Sequence, residues 1–161
     1  MLCEVELAFK TIPPPDFLFG ALKVFYNVSL AVGPTDAQNL VEDVMLVQFC
    51  INKIVAAGSI PPPPTGRTLT IDGKCGPITR AAILHFQTQV KAKGGSIRPD
   101  GLVEKANAFT AKGAHTRVFF TILWLNLGLK NAIGESRFVS LASDPDTPFV
   151  LAVALAARGF D

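Results

Sequence analysis

The residues of this 161-residue chain that could carry chemistry are few: two histidines, three cysteines and a scatter of carboxylates. Hydrolytic zinc sites need three or four His, Cys or carboxylate ligands backed by hydrogen-bonded supporting groups. His85 and His115 alone do not supply that set, so no metal is expected. Cys3, Cys50 and Cys75 lie far apart with no C-x-x-C spacing, the pattern of reduced, partly buried thiols rather than of a disulfide framework. Cys75 and His85 flank one turn-helix unit and invite a nucleophile–base reading. However, Cys75 precedes the helix and His85 lies more than two turns along it, which at about 1.5 Å per residue is too far for a hydrogen bond. Asp72 and Asp100 would suit a glycosidase carboxylate pair, but each precedes a glycine in a turn, where Asp is explained by bonding its own backbone. Ser140, Ser143, Asp144 and Asp146 read as turn and cap residues. No catalytic residue and no cofactor is assigned, and the expectation is a protein that is not an enzyme.

The stretch from Ile71 to Gln87, I-D-G-K-C-G-P-I-T-R-A-A-I-L-H-F-Q, organises the rest. Asp72-Gly73 is a turn pair, and Pro77 suits a first helical position because its missing N–H has no helical partner to lose. Ile78, Ala82, Phe86 and Val90 then recur every four residues as one apolar stripe. Lys91 to Gly95 closes that helix with cations and a glycine stop. An earlier helix runs from Asn39 or Glu42 to Ala56 on Leu40, Val44, Val47, Ile51 and Ile54, with Asn39 as N-cap, Glu42 completing a capping box, Asp43 favourable in the first turn and Gly58 as the stop. Between the two helices, Pro61 to Pro64 form a stiff extended loop.

The series D-G-x-x-G-P-x-T-x-x-A-I-x-x-F-Q resembles the signature of the peptidoglycan-binding domain-like family, a small three-helix module of bacterial cell-wall enzymes. Asp72, Gly73, Gly76, Pro77, Thr79, Ala82, Ile83, Phe86 and Gln87 carry it. Asp100-Gly101 is similar to the family's second turn, and Asp43 to Asn52 to its first helix. The resemblance spans about Val32 to Val103. It implies structural roles for Asp72, Gly73, Gly76, Pro77, Phe86, Gln87, Asp100 and Gly101. It also implies a shallow groove accepting muropeptide stems or glycan, for which the polar candidates are Gln48, Asn52, Asp72, Lys74, Thr79 and Arg80. Lys74 and Arg80 would meet stem-peptide carboxylates through charge-assisted bonds. The family's G-P-x-T continuation after the second turn is replaced by Leu102 to Ala106, so the third helix is expected later. The two Asp-Gly turns have dissimilar flanks, and no internal repeat is read.

Outside that core, alternation predicts a strand over Cys3 to Phe9 and another over Leu22 to Val32, separated by Pro13 to Pro15 and Gly20. Thr116 is the expected N-cap of a third helix to Asn131, apolar nearly all round through Val118 to Leu129. A short strand over Arg137 to Leu141, a turn at Asp144 to Asp146 and an apolar helix from Thr147-Pro148 to Ala157 follow. The expected fold is mainly α: residues 1–32 form an N-terminal strand pair, 33–112 a three-helix peptidoglycan-binding-like core, and 113–161 a C-terminal helical extension packed on it.

A 49% hydrophobic fraction with 17% charged residues excludes disorder. The mean hydropathy of +0.37 suggests apolar surface that meets a partner. A net charge of +2 without a dense basic cluster excludes a nucleic-acid partner, and no apolar run has membrane-span length. The first residues do not read as a signal peptide, which suggests a cytoplasmic protein, or one delivered to the periplasm or cell wall by a secretion or phage-like machine. Two functions are therefore expected in turn: non-catalytic binding of peptidoglycan, or a protein-interaction scaffold that forms an oligomer or adaptor through its apolar helices.

Overall fold

The computed structural model describes residues 10–11, 25–66, 68–106 and 118–157. Among them the fold is mainly helical. A minimal antiparallel pair, β1 (Lys10–Thr11) and β2 (Phe25–Tyr26), aligns Lys10 with Tyr26 and Thr11 with Phe25. Five α-helices follow: α1 (Val41–Ala56), α2 (Pro77–Ala92), α3 (Thr121–Ile133), α4 (Glu135–Val139) and α5 (Phe149–Ala157), with a 3₁₀ turn at Leu141–Ser143.

Helix α1 is the hub. Every residue from Asp43 to Ile51 is buried, and so is Ile54, because α2, α3 and α5 all pack against it. Helix α3 packs closely against α1 at Gly128, where a Cβ would stand 2.6 Å from Ile54 Cδ1, so that a side chain there would require Ile54 to shift. Phe25, Phe49, Ile83, Ile122, Leu123 and Phe138 are among the largest fully buried side chains, each contributing about 1.5–3 kcal/mol of apolar burial. They belong to one cluster that draws on every stretch from β2 to α5.

Among the described residues, the strand expected over Leu22 to Val32 is confined to Phe25–Tyr26. Cys3 to Phe9 and Leu22 to Val24 lie outside the described residues, as do His115 and Thr116. After Tyr26 the chain stays irregular, apart from one bridge in which Val32 and Val103 exchange backbone hydrogen bonds at 2.9 and 2.8 Å. The period-two pattern breaks at Leu30, which is exposed. What replaces a sheet is a set of side-chain carboxamides. A carboxamide offers one acceptor and one donating NH₂, so it can pair with a peptide group as another strand would. Asn126 of α3 does so with Tyr26 (N–H to Oδ1 2.6 Å, Nδ2 to O 2.7 Å), and Asn27 with Ala106 (2.8 and 3.0 Å).

Several boundaries differ from the sequence reading. Helix α1 begins after Leu40 and has no side-chain cap. Asn39 instead takes φ +50° and closes the preceding loop, accepting from Gly33 N–H at 2.8 Å and donating to the Pro34 carbonyl at 3.1 Å. Asp43 reaches out of α1 to accept from the N–H groups of Ser29 and Leu30 at 2.9 and 3.0 Å. In α2 the buried face is Thr79, Ala82, Ile83, Phe86 and Gln87, so the stripe is rotated from the expected one and Ile78 is exposed. The stretch read as a strand at Arg137 to Leu141 is α4 and the 3₁₀ turn. There Phe138 turns inward against Tyr26, edge to face at 5.3 Å, and Tyr26 Oη donates to the Phe138 carbonyl at 2.6 Å. Finally, Arg137 grips Asp144 with two nitrogens (2.6 and 2.9 Å) and Asp146 at 3.0 Å, while Lys53 of α1 holds Asp146 at 2.7 Å. This network fastens the C-terminal turn onto the hub helix.

Candidate functional site

The two Asp-Gly turns are held in the same way. At the first, Gln48 projects from α1 into the turn with its side chain fully buried. Its Oε1 accepts from Gly73 N–H at 3.1 Å. Its NH₂ is shared among Thr79 Oγ1 (3.0 Å), Asp72 Oδ1 (3.2 Å) and the Lys74 carbonyl (3.2 Å). Asp72 also accepts from Lys74 N–H at 2.9 Å. At the second turn Gln87 of α2 does the same work: Gly101 N–H to Oε1 at 2.8 Å, and NH₂ to Thr121 Oγ1 (2.9 Å), the Leu102 carbonyl (3.1 Å) and Asp100 Oδ1 (3.3 Å). Asp100 accepts from Leu102 N–H at 3.0 Å. Gly73 and Gly101 share φ +76°, a left-handed conformation that glycine adopts at least cost.

Each unit therefore reads helix glutamine, Asp-Gly turn, then a threonine in the first turn of the next helix. A structural repeat is present where sequence comparison of the flanks reads none. The spacing hides it: the proline loop lies between Gln48 and Asp72, whereas Gln87 reaches Asp100 directly. Thr121 opens α3, five residues beyond the expected cap at Thr116, with Phe120 at the N-cap position, and so α3 completes the same arrangement as α1 and α2.

This geometry sorts the candidate ligand residues. Gln48 and Thr79 are buried and spend their polar atoms on each other and on the turn. Asn52 clamps the loop, donating to the Leu69 carbonyl at 2.8 Å and accepting from Leu69 N–H at 2.9 Å. These three position the turn. Asp72 and Lys74 are exposed and Arg80 is half-buried, with Arg80 Nη1 donating to the Cys75 carbonyl at 2.9 Å. The Lys74 N–H first, and then the Gln48 amide, hold the Asp72 carboxyl below the usual carboxylate range, so it is ionised at neutral pH. Beside this turn lies an open cleft of about 230 Å³ lined by Thr68, Thr70, Asp72, Lys74, Pro77 and Ile78, among others. None of Pro61 to Pro64 lines it. The proline loop folds elsewhere, with Pro63 buried and the Pro61 carbonyl accepting from His85 Nε2 at 2.9 Å.

The chemistry-bearing pair stays separate. Cys75 Sγ donates to the Gly33 carbonyl at 3.4 Å, and His85 is engaged with Pro61. Burial pushes the Cys75 thiol up, and it pushes the fully enclosed Cys50 to about 12, so neither is a thiolate at neutral pH. Among the described residues no three His, Cys, Asp or Glu side chains gather as a metal site, and no helix is long and apolar enough to cross a membrane. In comparisons with known proteins, no family model, no curated protein and no solved structure matches the chain.

Proposed function

We propose that this chain is a non-catalytic module that binds bacterial cell-wall peptidoglycan, and that the first Asp-Gly turn is its contact surface. The observation that supports this reading is the Asp72–Arg80 segment itself. It is held from below by Gln48, which bonds Gly73 N–H and Thr79 Oγ1, while Asn52 clamps Leu69 just before it. On its outer side it offers Lys74, which lines the 230 Å³ cleft, and the half-buried Arg80 guanidinium, which donates to the Cys75 carbonyl of the same segment. Two cations on a preorganised turn suit the carboxylates of a stem peptide, and the hydroxyls of Thr68 and Thr70 suit its amides. Delivery to the wall would then be the task of a secretion or phage-like machine.

Co-sedimentation with isolated sacculi tests the proposal. The protein is expected in the pellet at low salt, and Lys74→Ala combined with Arg80→Ala is expected to lower affinity by about tenfold or more, since charge-assisted bonds contribute about 1.5–3 kcal/mol each. A protein that stays in the supernatant, or a double variant that binds unchanged, overturns it.

A second reading, a protein-interaction scaffold, rests on α5. There Phe149 is 81% exposed, with Val150 and Val153 about half exposed on the same apolar helix. Self-association in light scattering that Phe149→Ser with Val153→Ser abolishes, together with absent sacculus binding, would favour it.

A further inference from the structure

A larger cleft, unrelated to the Asp-Gly turn, opens where the C-terminal ends of α1 and α2 meet the flank of α3. It measures about 420 Å³, within the range of about 300–1,000 Å³ typical of small-molecule sites. It shares no lining residue with the cleft beside Lys74. Its floor is apolar and already ordered: Ile54, Ile60 and Phe86 are buried in the core cluster, and Val90, Trp124 and Leu127 pack against that cluster as its walls. The indole is fixed from two sides. Trp124 Nε1 donates to the Ser96 carbonyl at 3.2 Å, and its ring meets Phe119 edge to face at 6.5 Å.

The rim decides the charge of the guest. Among the described residues, Lys93 is the one ionisable residue in the lining, and no Asp or Glu lines it. The α2 C-terminus would ordinarily present negative carbonyls at this edge. Here the Val90 carbonyl already accepts from Lys93 N–H at 3.1 Å and Gly95 N–H at 2.9 Å, and the Lys91 carbonyl accepts from Gly94 N–H at 3.0 Å. Lys93 Nζ donates to the Ser59 carbonyl, which anchors the ammonium at the mouth and leaves further N–H donors of its three for a ligand.

We propose that this cleft is a binding site for a small amphipathic carboxylate, whose hydrocarbon body lies against Phe86, Trp124 and Leu127 and whose carboxylate meets Lys93. The pairing of an ordered apolar floor with one anchored cation selects an acid over an alcohol or amine of the same length.

Trp124 is the single tryptophan of the chain, so its emission and its indole N–H cross peak both report on the site directly. Decanoate and decanol serve as probes of equal length and different charge. Decanoate is expected to shift Trp124 emission saturably below about a millimolar. Lys93→Gln is expected to weaken decanoate at least about tenfold while leaving decanol within about twofold. Val90→Phe, which extends a wall into the cleft, is expected to abolish both; should it unfold the protein by circular dichroism, the wild-type indole cross peak carries the test. Three results overturn the assignment: no saturable change with decanoate, equal affinity of wild type and Lys93→Gln for it, or cross-peak shifts centred on Phe149, Val150 and Val153 instead of Gly94 to Ser96 and Trp124.

Discussion

Replacing Gln48 by leucine keeps the side-chain volume nearly constant and removes every polar contact the first turn makes with α1. The cost follows from what is left behind. The N–H of Gly73, a buried residue, loses its acceptor at 3.1 Å, and an unsatisfied buried donor costs about 1–3 kcal/mol. Thr79 Oγ1 loses its donor but keeps a longer contact to the Lys74 carbonyl at 3.5 Å, while Asp72 is exposed and turns to water. The sum is about 2–4 kcal/mol, a large share of the 5–15 kcal/mol typical of a domain. Urea unfolding of wild type and Gln48→Leu measures it, and a double-mutant cycle with Thr79→Val should show a coupling of about 1 kcal/mol. Gln48→Glu sharpens the test. Its new carboxylate would face Asp72 Oδ1 and the Lys74 carbonyl, both now 3.2 Å from a donor. Like charge and a lost donor raise the introduced acid's folded pKa above its unfolded value of about 4.3, so the variant loses stability as pH rises through that value. A Gln48→Leu penalty below about 0.5 kcal/mol, or a Gln48→Glu penalty no larger at pH 7 than at pH 4, would refute the lock.

The paired glycines give a graded comparison. A Cβ on Gly73 would stand 2.5 Å from Val41 Cγ1, whereas on Gly101 it meets nothing within 4 Å; both suffer the same positive φ. Gly101→Ala should therefore cost about 1 kcal/mol, and Gly73→Ala distinctly more, by thermal or urea midpoint. Acid should weaken the C-terminal clasp. Arg137 holds Asp144 below the usual carboxylate range, and Lys53 with Arg137 does the same for Asp146. With folded pKa values below the unfolded value of about 3.9, that stabilisation is complete above about pH 4 and is lost as pH falls through the folded values. Urea midpoints at pH 5 and pH 3 should differ less in Arg137→Ala than in wild type. Thiol labelling of a Cys3→Ser background at pH 7.5 should leave Cys50 untouched in the native state and modify Cys75 slowly; rapid modification of Cys50 would contradict its burial.

The elements that punctuation marks were readable in advance. Gly58, Pro77, Gly94 and the two Asp-Gly pairs fall where the sequence puts them, because each answers a local backbone demand that needs no knowledge of the rest of the chain. The side-chain amides were not readable. Gln48 and Asn52 look like surface polar residues when composition is the guide, and the partners that enclose Gln48 and half-bury Asn52 lie more than a dozen residues away. A signal was nevertheless present: Gln48 follows Val47 and Gln87 follows Phe86 on faces that are otherwise apolar, and a polar residue inside an apolar stripe needs a partner. The same blindness explains the rotated face of α2. Thr79 turns inward because Gln48 awaits its hydroxyl, and that displaces Ile78 to the surface. Asn39 departs from its expected cap for a related reason, since an amide before a helix can cap it or close the loop behind it, and the position of Gly33 decides. The strand expected at Arg137 to Leu141 was too short for periodicity to separate it from one helical turn.

The most direct test of cell-wall binding is a titration of isotopically labelled protein with soluble muropeptides, followed residue by residue in amide spectra. Saturable shifts concentrated in Thr68 to Arg80, and abolished in Lys74→Ala with Arg80→Ala, are the predicted result. A spectrum unchanged at millimolar muropeptide, or shifts that leave this segment untouched, would contradict the account.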